Sequence, residues 1–151
     1  MNNYVTLVEG ESRTALNSLW AILKYKRFEP DKILLISSDG ETTVDELVKD
    51  FKKLLKNYEI DCSVESKSIE EIHKAGEIVS DFVMTGSEKV ALDISAASKY
   101  MTTKVIIDSR PDLFDHVFYL DVEGIDLKER PFPTIEKSKV ELKDLKLDGE
   151  R

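Results

Sequence analysis

Five short β-rich runs, separated by stretches of helical periodicity, confine this chain to one class of fold. Residues 4–8, 32–38, 60–64, 89–94 and 116–122 read as strands. The second carries the unbroken run Ile33-Leu34-Leu35-Ile36, which implies burial on both faces, as in the middle of a parallel sheet. Between the strands, Leu16, Leu19, Trp20 and Leu23 fall on one helical face after Ser12. Val44, Leu47, Val48, Phe51, Leu54, Leu55 and Tyr58 mark a longer helix, opened by Thr43 with Glu46 as a capping box. A third helix is expected from near Ser68, with Glu71 in the corresponding box position, through Ile72, Val79, Phe82 and Val83. A fourth follows through Met101 and Val105. Strands alternating with helices mean βαβ units, so the expected fold is α/β, a Rossmann-like, mostly parallel sheet with helices on both faces.

All 151 residues fit a single domain, with its core over about 4–122. Residues 123–151 form an extension in which Val140, Leu142, Leu145 and Leu147 alternate with polar residues, either an edge strand or an arm on a partner. The net charge of −8 argues against gripping long DNA or RNA, which needs a basic face. No apolar run approaches the ~18 residues of a membrane span, and Met1-Asn2-Asn3-Tyr4 does not open a signal peptide, so a cytoplasmic protein is expected. Cys62 is the single cysteine, and His73 and His116 are far apart, so neither a structural metal nor a disulfide is expected. The glycine patterns of dinucleotide and P-loop sites are absent, as is a serine elbow, and no cofactor is expected.

In open α/β sheets, ligands sit beyond the carboxyl ends of the strands, where the strand order reverses. Three polar segments leave strands there: Gly10-Glu11-Ser12-Arg13, Ser37-Ser38-Asp39-Gly40, and Asp93 through Lys99. Each precedes a helix, whose first amides and dipole favour phosphate. In Asp93-Ile94-Ser95-Ala96-Ala97-Ser98-Lys99, Ser95 is placed to cap the fourth helix and Lys99 lies about one turn further on. On spacing alone, capping groups followed by a solvated lysine account for this run at least as well as a binding site does. Ser12 likewise reads as a helix cap, Arg13 as a phosphate ligand or a surface residue, and Ser37, Ser38 and Asp39 as ribose or adenine contacts or a simple turn.

That run resembles the D-x-[ST]-x-x-x-[RK] signature of CARF domains, the cyclic-oligoadenylate sensors of type III CRISPR systems, with Asp93, Ser95 and Lys99 at its fixed positions. The order of elements over residues 4–122, the Gly-Glu-Ser loop after the first strand and the Ser-Ser-Asp end of the second are similar as well. Where many members have two glycines after the signature hydroxyl, this chain has Ala96-Ala97, which gives up φ > 0 but keeps the N–H groups.

The resemblance implies a cyclic oligoadenylate ligand held across a homodimer, with cyclic tetra-adenylate matching two-fold symmetry and the hexamer as the alternative. CARF domains are usually fused to an effector, for which this chain leaves no room, so the expectation is a free-standing ring nuclease that switches off the antiviral signal. The alternative is a non-catalytic sensor acting through a separate partner. The family's ring nucleases imply Ser12 and Lys99 as the catalytic pair, with Gly10, Glu11, Arg13, Ser37, Ser38, Asp39, Asp93, Ser95, Ala96, Ala97 and Ser98 around the ligand. They imply a metal-independent reaction, in which the ribose 2′-OH attacks its own 3′-phosphate and leaves a 2′,3′-cyclic phosphate.

Overall fold

A computed structural model describes residues 1–10, 13–38, 41–83, 88–122, 131–134 and 140–148. They form β1 (Asn2–Val8), α1 (Arg13–Lys24), β2 (Lys32–Ser37), α2 (Glu41–Asn57), β3 (Ser63–Ser68), α3 (Ala75–Val83), β4 (Lys89–Ala96), α4 (Lys99–Asp108), β5 (His116–Val122), β6 (Val140–Asp144) and α5 (Leu145–Asp148), with short 3-10 turns between some of them. The strands make one six-stranded sheet in the order β3-β2-β1-β4-β5-β6. The first five pair in parallel and β6 runs antiparallel to β5. This is the Rossmann-like arrangement the alternating pattern predicts.

Period-two alternation divides the strand residues between two cores. Tyr4, Val8, Ile33 and Leu35 pack under α1 and α2 with Leu19, Ile22, Leu47 and Phe51. Val5, Leu7, Leu34 and Ile36 pack on the opposite face under α3 and α4 with Val79, Met101 and Val105. At full burial, each such aliphatic side chain contributes roughly 1.5–3 kcal/mol. β6 is the edge strand beside β5. There Leu120 and Phe132 pack with Ala21 of α1, with Leu142 of β6 against them.

Several boundaries differ from the sequence pattern. The third strand lies at Ser63–Ser68 rather than 60–64, and only Val64 of it is even half-buried. As a polar edge strand it carries no hydrophobic alternation, whereas Ile60 and Cys62 pack against the core from the preceding loop. Ser68 therefore ends a strand, and the third helix starts at Ala75 after a 3-10 turn whose leading residue, Glu71, makes no side-chain cap. α2 begins at Glu41, which puts Thr43 inside the helix. β4 continues through Ala96, so Ser95 is a strand residue, and Ser98 is the cap of α4. No helix among the described residues is long and apolar enough to cross a membrane.

Candidate functional site

The strand order reverses between β1 and β4, since β1 leads outward to β2 on one side while β4 leads to β5 on the other. Their carboxyl ends meet directly. Val8 is registered with Ser37 of β2 and with Ala96 of β4. The Glu9 amide donates to the Ala96 carbonyl (2.9 Å) and the Ser38 amide to the Val8 carbonyl (3.2 Å). The structure thus brings together the end of β1 at Glu9-Gly10, Ser38 and the Ala96–Lys99 junction at one mouth. Gly10 turns the chain out of β1 with φ of +74°, a conformation that side chains rarely adopt. Glu11, Ser12 and Asp39 lie outside the described residues.

Lys99 is the first residue of α4 and is exposed. Among the described residues it makes no salt bridge. Ser98 caps α4, its hydroxyl accepting the Met101 amide at 3.1 Å. The Ala97 amide, expected to hold phosphate, instead donates to the Ile94 carbonyl at 3.2 Å in a tight turn. The Ser98 amide donates to a carboxylate oxygen of Glu9 at 2.9 Å, and the Ser98 hydroxyl reaches the same atom. The two α4 amides without an acceptor within the helix or its cap are those of Lys99 and Tyr100.

Asp93 faces the other way. It is fully buried beneath α1, on the same side of the sheet as Tyr4 and Thr6. One carboxylate oxygen accepts from the Ser95 hydroxyl (2.7 Å), the Ser95 amide (3.1 Å) and the Ser18 hydroxyl (2.9 Å). The other accepts from Thr6 at 3.1 Å. Burial raises the carboxyl pKa, and the hydrogen bonds from Ser95, Ser18 and Thr6 oppose that rise. Tyr4 lies against this cluster, and burial, then the Asp93 charge, pushes its phenol well above its ordinary range. The Tyr4 hydroxyl nevertheless lacks a hydrogen bond of regular geometry.

Ser95 is likewise turned inward, its hydroxyl also accepting the Leu120 amide of β5 at 2.9 Å. The aspartate and serine of the signature are therefore an internal brace joining β1, β4, β5 and α1, with only the lysine facing outward. Ser37 is buried too. Arg13 is exposed and lines a groove of about 540 Å³ between α1 and α2 with Leu16, Trp20, Glu46, Asp50 and Lys53.

Glu9, Thr6 and Ser18 are neighbours of the candidate site residues that the motif does not mark. A polar Thr6 inside an apolar strand, one period-two step from Tyr4, is the sequence signal for the buried brace. Glu9 has a weaker one, a charge at a strand end immediately before glycine.

Among solved structures, the chain is similar to a type III CRISPR defence DNA nuclease activated by cyclic oligoadenylate, with a TM-score of 0.53 at 15% identity. The likeness covers 80% of this chain and 18% of that one, and at such identity it speaks for the fold. No protein-family model matches the chain, and no curated protein matches its sequence.

Proposed function

We propose that this chain is a CARF-type domain that binds a cyclic oligoadenylate at the mouth between β1 and β4 and, as a homodimer, cleaves it. The observation that carries this reading is the placement of the D-x-S-x-x-x-K run. It falls at the reversal of strand order, with its lysine exposed on the first turn of α4 and, among the described residues, without a salt bridge. The fold shared with a protein activated by such a ring supports the same ligand.

The proposed step needs positioning and charge rather than a metal. The ribose 2′-oxygen bonds to the adjacent phosphorus, the bond from phosphorus to the 5′-oxygen breaks, and the 2′-hydroxyl proton passes through water to the departing 5′-oxygen. Lys99 offsets charge on the phosphate oxygens, and Ser12 orients the 2′-hydroxyl or a phosphate oxygen. Without a positioned base, which supplies ~10²–10⁴-fold, turnover is slow.

Dimerisation through α4 fits its surface. Tyr100 and Ile107 are 63% and 69% exposed, and their spacing puts them on one face of α4. Both sheet edges carry charges, Glu65 and Lys67 on β3, Glu141 and Lys143 on β6, which disfavour edge-to-edge pairing. A two-fold axis at α4 sets two Lys99 side chains around one ring.

The test is incubation with cyclic tetra- and hexa-adenylate in EDTA, followed by chromatography. Linear products from the wild type and none from Lys99→Ala are expected. An intact ring after long incubation with excess protein would remove the enzymatic reading. A non-catalytic sensor is the second reading, favoured by the fold neighbour's activation by cyclic oligoadenylate. Tight binding without turnover selects it.

A further inference from the structure

The groove between α1 and α2 is not used by the reaction proposed above. On the opposite face of the sheet, Gly76 lets α3 close against α4 at Asp108. Neither α1 nor α2 contains a glycine, and between them lies an opening of about 540 Å³, within the ~300–1,000 Å³ of small-molecule sites.

Three kinds of chemistry line it. Leu16 and Trp20 of α1 are half-buried against the core and give it an apolar, aromatic wall. Arg13, two turns before Trp20 on the same helical face, and Lys53 of α2 bring positive charge. Glu46 and Asp50, on the same face of α2 as Lys53, bring carboxylates. All four charged side chains are exposed, and among the described residues none of them forms a salt bridge with another.

An aromatic wall, a guanidinium and two carboxylates in one opening suit a nucleotide. A base stacks on the indole, a carboxylate accepts from ribose hydroxyls, and a guanidinium takes two phosphate oxygens at once. A wholly apolar ligand would strip water from charges without replacing it. A bare phosphate ion would leave the indole uncovered and meet two carboxylates.

We propose that the α1–α2 groove is a binding site for a mononucleotide, with the base on Trp20, the ribose against Asp50 and the phosphate on Arg13. This does not depend on a ring binding at the mouth between β1 and β4.

Trp20 is the only tryptophan of the chain, so its emission reports on the groove. Titration of the full chain with adenosine 5′-monophosphate is expected to quench that emission saturably. Adenosine is expected to quench it too, and ribose 5-phosphate, which has no base to stack, to leave it unchanged. Arg13→Gln is expected to weaken the nucleotide about tenfold, the worth of one charge-assisted contact, while adenosine binds as before. Asp50→Asn, across the groove, is expected to weaken adenosine about threefold. Both side chains are exposed, so the fold survives either change. Absence of saturable quenching in the wild type overturns the proposal. An equal response of nucleotide and adenosine to Arg13→Gln overturns it as well, and so does adenosine binding that Asp50→Asn leaves untouched.

Discussion

Asp93 shows how a residue of a ligand-site signature can serve from behind. Its carboxylate gathers Thr6, Ser18 and Ser95 into one buried cluster, and Ser95 in turn accepts the amide of Leu120. Asp93→Ala leaves those donors without an acceptor, which costs about 1–3 kcal/mol per stranded group, and a lowered midpoint in urea would register it. Asp93→Asn keeps an acceptor toward Ser95 and Ser18, while its amide faces the Thr6 oxygen, which accepts as readily as it donates. The pH dependence has a definite sign. The folded-state pKa lies above the ordinary 3.8, so the native protein holds this proton after the unfolded chain has released it. The Asp93 contribution is therefore full below 3.8 and is lost as pH rises through the higher folded-state value. Urea unfolding of wild type and Asp93→Asn across that range is expected to show the variant gaining relative stability as pH rises, and parallel curves would contradict it. Cys62 makes a smaller point of the same kind: burial, then Asp31 and Asp61, pushes its thiol up to about 12, so maleimide labelling near neutral pH is expected to be slow.

Among the elements, those with strong apolar patterns were legible. β2 and β5 fall where Ile33-Leu34-Leu35-Ile36 and Val117-Phe118 place them, because burial on both faces leaves an unbroken run. β3 was not, because Ser63–Ser68 gains its place through backbone pairing with β2 and has almost no buried side chains to announce it. The α4 start was displaced from Ser95 to Ser98 for a related reason. The Ser95 hydroxyl is drawn to Asp93, and the next free hydroxyl takes the cap. Of the site, Lys99 was legible as a spaced cation at a strand-to-helix junction. The inward turn of Asp93 was not, since it depends on Thr6 and Ser18, 87 and 75 residues away in the chain. The contact of α3 with α4 turns on Gly76, where a methyl group would overlap the β-carbon of Asp108. Alanine normally favours a helix interior over glycine by ~1 kcal/mol, yet here forced separation costs ~1–3 kcal/mol, so Gly76→Ala is expected to lower the melting temperature. A rise would show that the two helices yield freely.

For the molecule as a whole, the ligand and the second copy are tested together. Ile107→Glu places a charge on the exposed face of α4 without touching the core. It is expected to convert a dimer to a monomer in light scattering and to remove the thermal stabilisation given by cyclic tetra-adenylate. A ligand at 100 times its Kd stabilises the form it binds by about 2.7 kcal/mol, enough for a clear melting shift in a domain of this size. Ring-induced stabilisation of a protein that stays monomeric would separate binding from assembly.

Because β6 runs antiparallel to β5, its last residue, Asp144, returns to the beginning of β5, where it accepts from the Val117 amide at 3.1 Å and contacts His116 at 2.6 Å. Asn2 opens β1 at that same rim. The opposite rim carries the mouth, some five strand residues away, or roughly 15–20 Å. A fluorophore or surface tether attached at Met1 therefore hangs below the sheet, and immobilised protein presents its mouth to solution.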